Sequence, residues 1–192
     1  MRAIVVDVET GGLNASEHPI IQIAAIGIDL DLLTPIERFE RKIVFRKEKA
    51  EAKALSLNSY NEAEWKRSAV HPVKACEEFT DFVKSFSDIT KRSERTGREY
   101  SVALPVAYNA KFDVDFISKW YGRLGKFCPI EWHGLCVLER LKWHVYESRL
   151  DPPKDWKLPT VCEWLGIETP NSHDAMGDVV SCLEVYKRII NG

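Results

Sequence analysis

At 192 residues, 45% apolar and 10% aromatic, the chain can bury one substantial core, which sets the expectation of a single domain over residues 1–192. No run approaches a membrane span, and the four apolar residues after Arg2 stop at Asp7, too few for a signal peptide, so the reading includes no membrane. A net charge of −2 gives no general attraction to nucleic acid, so such a partner needs local basic patches or metal ions to hold it. Cys76, Cys128, Cys136, Cys162 and Cys182 are odd in number, spread out and mostly set among apolar neighbours. They read as core thiols of a reducing, cytoplasmic compartment rather than as a disulfide frame or zinc site.

The first element is a β-branched run from Ala3 that carries Asp7 and Glu9 and breaks at Gly11-Gly12, the pattern of a buried strand ending in a tight turn. Side chains alternate across a strand, so Asp7 and Glu9 project from one face and Val6 and Val8 from the other. Two like charges roughly 4 Å apart repel by about 4 kcal/mol at an effective dielectric of about 20, which favours a cation between them. Hard carboxylate oxygens suit Mg²⁺ or Mn²⁺. The plainer alternative is a solvated strand end.

After a polar loop from Asn14 to Pro19, Ile20 to Ile28 reads as a central strand and Arg38 to Arg46 as another, suggesting a three-stranded antiparallel meander. Glu48 to Asn58 is helical in propensity, and Val73 to Phe86 repeats apolar residues near a 3.6 period, as an amphipathic helix does. Residues 87–101 lose apolar content and hold Lys91, Arg92, Arg95 and Arg98, reading as an exposed basic loop insertion. A solvated insertion is the simpler account of that loop, with nucleic-acid contact as the other. Val102 to Ala107 then reads as a strand, followed by helices at Phe112 to Leu124, Leu135 to Tyr146, Leu158 to Leu165 and Asp174 to Ile190.

Two further clusters carry acids into helices. Asp113 lies three, four and seven residues before Phe116, Ile117 and Trp120 and shares their inward side, whereas Asp115 aligns outward with Lys119 as an i,i+4 partner. An inward acid should be paired or metal-bound, although a helix-start acid complementing the dipole would also fit. The last helix opens with Asn171 or Ser172 as N-cap and buries Ala175, Met176, Val179, Leu183, Tyr186 and Ile190, with Asp178 at the edge of that stripe. His173 would stand about 140° from Asp178 on an ideal helix, so the two share a site only if His173 lies at or before the first turn. A lone histidine is also readily structural. Asp174 reads as a first-turn acid favoured by the dipole.

Asp7-x-Glu9, Asn109-x-x-Phe112-Asp113 and His173-x-Ala175-x-x-Asp178, in that order, resemble the three motifs of the DEDD 3′–5′ exonucleases over about Ile4 to Tyr186. The tyrosine variant of that family expects tyrosine where this chain has Asp174, so the resemblance is to the histidine branch, which includes proofreading subunits of bacterial DNA polymerases. Leu55-Ser56-Leu57-Asn58 with Trp65 is similar to a segment of the polymerase-associated members. Gln22 departs from the family, standing where many relatives have a glutamate, and the basic loop is longer than expected.

The resemblance implies a ribonuclease H-like α/β fold, a mixed five-stranded sheet with helices on both faces and the site at the strand ends. It implies that Asp7, Glu9, Asp113 and Asp178 hold two Mg²⁺ or Mn²⁺ ions, that His173 takes a proton from water, and that Thr10, Gly11, Asn109 and Phe112 bind substrate. The implied reaction releases 5′-mononucleotides from a nucleic-acid 3′ end, single-stranded DNA before RNA, with a DNA polymerase as a further partner. The alternatives are an exoribonuclease or oligoribonuclease-like enzyme, and a non-catalytic polymerase-associated binding subunit.

Overall fold

The computed structural model describes residues 1–169 and 174–191. Three strands open the chain: β1 (Arg2–Thr10), β2 (Ile20–Asp29) and β3 (Thr34–Lys42). Three helices follow, α1 (Ala52–Leu57), α2 (Glu62–Ser68) and α3 (Pro72–Lys84). Next come the short strands β4 (Ile89–Arg92), β5 (Glu99–Val102) and β6 (Pro105–Ala107), then α4 (Ala110–Arg123) and β7 (Leu135–Cys136). Helices α5 (Val137–Glu147), α6 (Leu158–Leu165) and α7 (Ala175–Asn191) complete it. None of the helices is long and apolar enough to cross a membrane among the described residues.

The main sheet has the order β3-β2-β1-β6-β7, with β1, β2 and β3 antiparallel and β6 and β7 added in parallel. This is the expected mixed sheet. Alternation along β1 divides the core: Ile4, Val6 and Val8 pack with Phe79, Phe116 and Trp120 of α3 and α4. Ala3 and Val5 pack with Leu141, Val161 and Val179 of α5, α6 and α7. Both faces are therefore dry. Parallel addition of β6 puts its carboxyl end beside that of β1, and α4 starts there.

Several elements differ from the sequence expectation. The strand read as Val102 to Ala107 is divided between β5 and β6, and Leu135–Cys136 form β7 ahead of α5. The helix read at 48–58 narrows to α1, and Ile190 on α7, expected inside, is 51% exposed. The third strand lies at Thr34–Lys42 instead of 38–46, because Phe45 leaves the ladder to pack beside Ile21, Leu55 and Trp65. Helix α2 was not foreseen, and within it only Trp65 is buried. The basic segment at 87–101 is exposed as read but is not an open loop: β4 and β5 pair as a hairpin, Ile89 opposite Val102 through Arg92 opposite Glu99. At its base the Asp88 carboxylate accepts from the Arg2 backbone N–H (2.8 Å) and guanidinium (2.6 Å). Arg2 begins β1, so the hairpin sits at the end of the sheet opposite to Asp7, five residues or roughly 17 Å along the strand.

Candidate metal centre

Asp7 and Glu9 sit on the β1 face that meets α7, and α7 brings Asp178 one turn from its start. A ligand oxygen from each of Asp7, Glu9 and Asp178 lies within 4.8 Å of the others, with Glu9 buried and the other two half-buried. Asp113 arrives from α4 and is 3% exposed. Its placement follows from where β6 ends. The Ile4 N–H donates to Leu104 O toward β6, so Val6 and Val8 present their N–H groups on that same side. The β1–β6 register ends at Val5 opposite Val106, and beyond it Asp113 Oδ1 accepts the Val8 N–H at 3.1 Å.

The electrostatics are those of crowded acids. Desolvation, then the charges of Asp113, Glu9 and Asp178, push the Asp7 carboxyl well above the usual carboxylate range. Glu9 is pushed up to about 7 by burial and by Asp178 and Asp174. Burial raises Asp113 as well, against the opposing pull of the Val8 N–H, with Glu9 and Asp178 adding repulsion. Oxygen-only donors that repel each other in a desolvated pocket fit a hard divalent cation, whose charge would offset that repulsion.

The other expected site residues are placed less directly. The Thr10 hydroxyl donates to Gly12 O at 2.7 Å, and Gly11 N–H donates to Pro19 O at 2.9 Å, so both close the turn. A Cβ on Gly11 would lie 2.8 Å from Ala50 Cβ and 2.9 Å from Pro19 Cδ, so close packing demands glycine there. Asn109 caps α4 from an exposed position without a side-chain capping bond. Phe112 is half-buried, its ring 4.8 Å from that of Phe116, and it lines a cleft of about 470 Å³ with Leu13, which is 83% exposed. His173 lies outside the described residues.

Two expectations about neighbours need correction. Asp115 is exposed as expected, but its partner is Lys111 at 2.8 Å, one turn earlier, and not Lys119. Asp174 is more than a dipole partner. It accepts from the Gln22 amide at 2.9 Å, and its charge acts on both Asp7 and Glu9. The 55–58 segment also reaches the site, since Asn58 Nδ2 donates to Thr10 O at 2.9 Å while Trp65 Nε1 donates to Ile21 O at 3.3 Å.

Comparison with known proteins shows the family. The family model for exonucleases of the ribonuclease T type matches residues 4–186. The chain belongs to that family, the DEDD 3′–5′ exonucleases of the ribonuclease H-like superfamily, whose members are metal-dependent nucleases. Ribonuclease T of Vibrio parahaemolyticus is 26% identical over 201 residues, covering 98% of this chain and 85% of that one. Ribonuclease T of Shewanella baltica is 27% identical over 207 residues, covering 98% and 81%.

Among solved structures, exonuclease I superposes with a TM-score of 0.75 at 18% identity. That match covers 99% of this chain and 41% of exonuclease I, so the chain spans about two fifths of that protein's length. Cell-death related nuclease 4 gives 0.76 at 12% identity, covering 99% and 64%. These two likenesses concern the fold.

Proposed function

We propose that the protein removes 5′-mononucleotides stepwise from the 3′ end of single-stranded DNA. The observation that carries this is the convergence of Asp7, Glu9 and Asp178 within 4.8 Å at the carboxyl end of β1, in a chain of the exonuclease family. Asp7, Glu9, Asp113 and Asp178 would hold two Mg²⁺ or Mn²⁺ ions, which supply acidification of water and charge stabilisation at the leaving 3′-oxygen. His173 accepts the proton as water oxygen attacks the terminal phosphorus, the P–O3′ bond breaks, and the 3′-oxygen leaves to take up a proton. Asn109 offers an exposed amide to the terminal nucleotide. The cleft between Leu13 and Phe112 gives its base apolar walls. The Thr10–Gly12 turn, braced by Asn58, keeps that cleft in place.

The test is degradation of 3′-labelled and 5′-labelled strands with and without Mn²⁺. Release of label as mononucleotide from the 3′-labelled strand, and a shrinking ladder from the 5′-labelled one, is expected. Full activity in excess EDTA would sink the two-metal reading.

RNA is the second reading, favoured by the relatives named ribonuclease T that align with 98% of this chain. Matched DNA and RNA single strands, compared by kcat/KM, separate the two. A polymerase partner has weaker support, because the segment that suggested it is engaged internally through Asn58 and Trp65.

A further inference from the structure

Gln22 is the family departure that the proposed chemistry leaves unused, and it is one of the few polar side chains buried beside the site. It stands directly across the β1–β2 ladder from Glu9 and is 2% exposed. Cross-strand partners share a face, so its amide lies on the same side of the sheet as the acid trio. Its nitrogen donates twice, to Glu40 Oε1 on β3 at 2.8 Å and to Asp174 Oδ1 at 2.9 Å. An amide nitrogen carries two hydrogens, and both are used on carboxylates.

Asp174 precedes α7 by one residue, and its carbonyl accepts the Asp178 N–H at 3.0 Å. The Gln22 amide is thus tied to the residue that starts the helix carrying Asp178, and that residue follows His173 in the chain. We infer that Gln22 is a positioning residue: it clamps the entry of α7 to the sheet and so holds Asp178 against Asp7 and Glu9. This rests on the proposed reading of the acids as cation ligands. A carboxylate at position 22 would face Glu40 and Asp174 with no hydrogen to offer either, whereas glutamine binds both as a neutral donor.

The test uses the full chain and three readouts: hydrogen exchange at the Asp178 N–H, Mn²⁺ titration, and kcat against KM on a 3′-labelled DNA strand. Gln22→Met removes both donors at similar volume. Loss of a buried contact of this kind should speed exchange at Asp178 and weaken Mn²⁺ binding by about tenfold each. It should lower kcat by about 10- to 100-fold with KM near wild type, since the clamp acts on the reacting geometry. Gln22→Glu should be more severe, and adding Asp174→Asn should recover part of the loss because the new amide can donate to the new carboxylate.

Asp174→Ala breaks the same contact from its half-buried side, so the inference stays testable if the Gln22 variants fold poorly. It should speed exchange at Asp178 as Gln22→Met does, although it leaves the Glu40 bond intact and removes a charge that acts on Asp7 and Glu9. In exchange, the double variant should be no worse than the worse single. Wild-type exchange and wild-type Mn²⁺ affinity in Gln22→Met, or fully additive effects on exchange in the double, overturn the inference. If the wild-type chain binds Mn²⁺ but degrades no strand, the nuclease reading fails, while the exchange and Mn²⁺ arms still decide the role of Gln22.

Discussion

Asp113 Oδ1 takes the backbone N–H of Val8 at 3.1 Å, a contact between residues 105 positions apart that joins the second acidic motif to the first. An asparagine at 113 can still accept that hydrogen bond with its own oxygen but carries no charge. Asp113→Asn should therefore keep the fold, within a few degrees in Tm, and lose activity by about 10³-fold or more, the scale of a lost charge at a reacting centre. Asp115→Asn should stay within about twofold of wild type, because exposed i,i+4 pairs such as Lys111 and Asp115 contribute little. Circular dichroism melts and initial rates on one labelled strand check both. Equal losses would overturn the assignment of inward and outward acids.

The crowded carboxyls make the metal-free protein sensitive to pH in a defined direction. Glu9 is raised from 4.5 to about 7, so the folded state binds more protons than the unfolded chain between those values. Its contribution is fully present below about pH 4.5 and is lost as pH rises through about 7. In EDTA, Tm should fall between pH 5 and pH 8, by the equivalent of about 3 kcal/mol at most for this group. Mn²⁺ at pH 8 should restore it. Glu9→Gln should flatten the slope; a wild-type slope in that variant would show that the titration lies elsewhere.

The hairpin separates its cations into different tasks. Lys91 pairs with the buried Glu131, whose carboxyl burial would raise but which Lys91 and the His133 and Trp132 N–H groups hold below its ordinary range. Arg92 donates to Gly97 O at 2.9 Å, across a turn whose glycine has φ +69°. Arg95 and Arg98 are exposed. Lys91→Ser should lower Tm, since it leaves the Glu131 carboxylate with backbone N–H donors but no counter-charge, at a cost of about 1–3 kcal/mol. Arg95→Ser with Arg98→Ser should leave Tm and kcat nearly unchanged and raise KM only for long strands, with a shallower salt dependence. A raised KM on a trinucleotide would place these arginines at the cleavage site.

Strand periodicity made the acids of β1 legible, because two charges at i and i+2 in an apolar run must share a face. The same reasoning separated Asp113 from Asp115 on α4. Elements without an apolar pattern were not legible: β4 and β5 alternate half-buried with mainly exposed residues, and β7 has two residues. Helix α2 is mostly charged, and its burial comes down to Trp65. Gln22 and Asp174 escaped for a different reason. Their bond spans 152 positions, and neither residue type announces a partner so far away.

His173 carries the proposed proton transfer and no cation. His173→Ala should keep Tm and Mn²⁺ affinity yet lower kcat by about 10²- to 10⁴-fold, the usual worth of a positioned proton acceptor. Asp7→Ala should instead weaken Mn²⁺ binding. Wild-type kcat should fall toward acid pH as the proton acceptor becomes protonated, and that limb should vanish in His173→Ala. An unchanged kcat and limb would make the histidine structural and send the proton by another route.

The acids come from the first strand, from a helix past the middle, and from the last helix, and Asp178 meets Asp7 only when α7 has docked on β1. A ribosome that has translated as far as Asp113 has made three of the four acids but not the helix that completes their geometry. On the proposed reading of these acids, a nascent polypeptide that stops short of position 178 lacks one of the four ligands and should bind Mn²⁺ more weakly than the full chain.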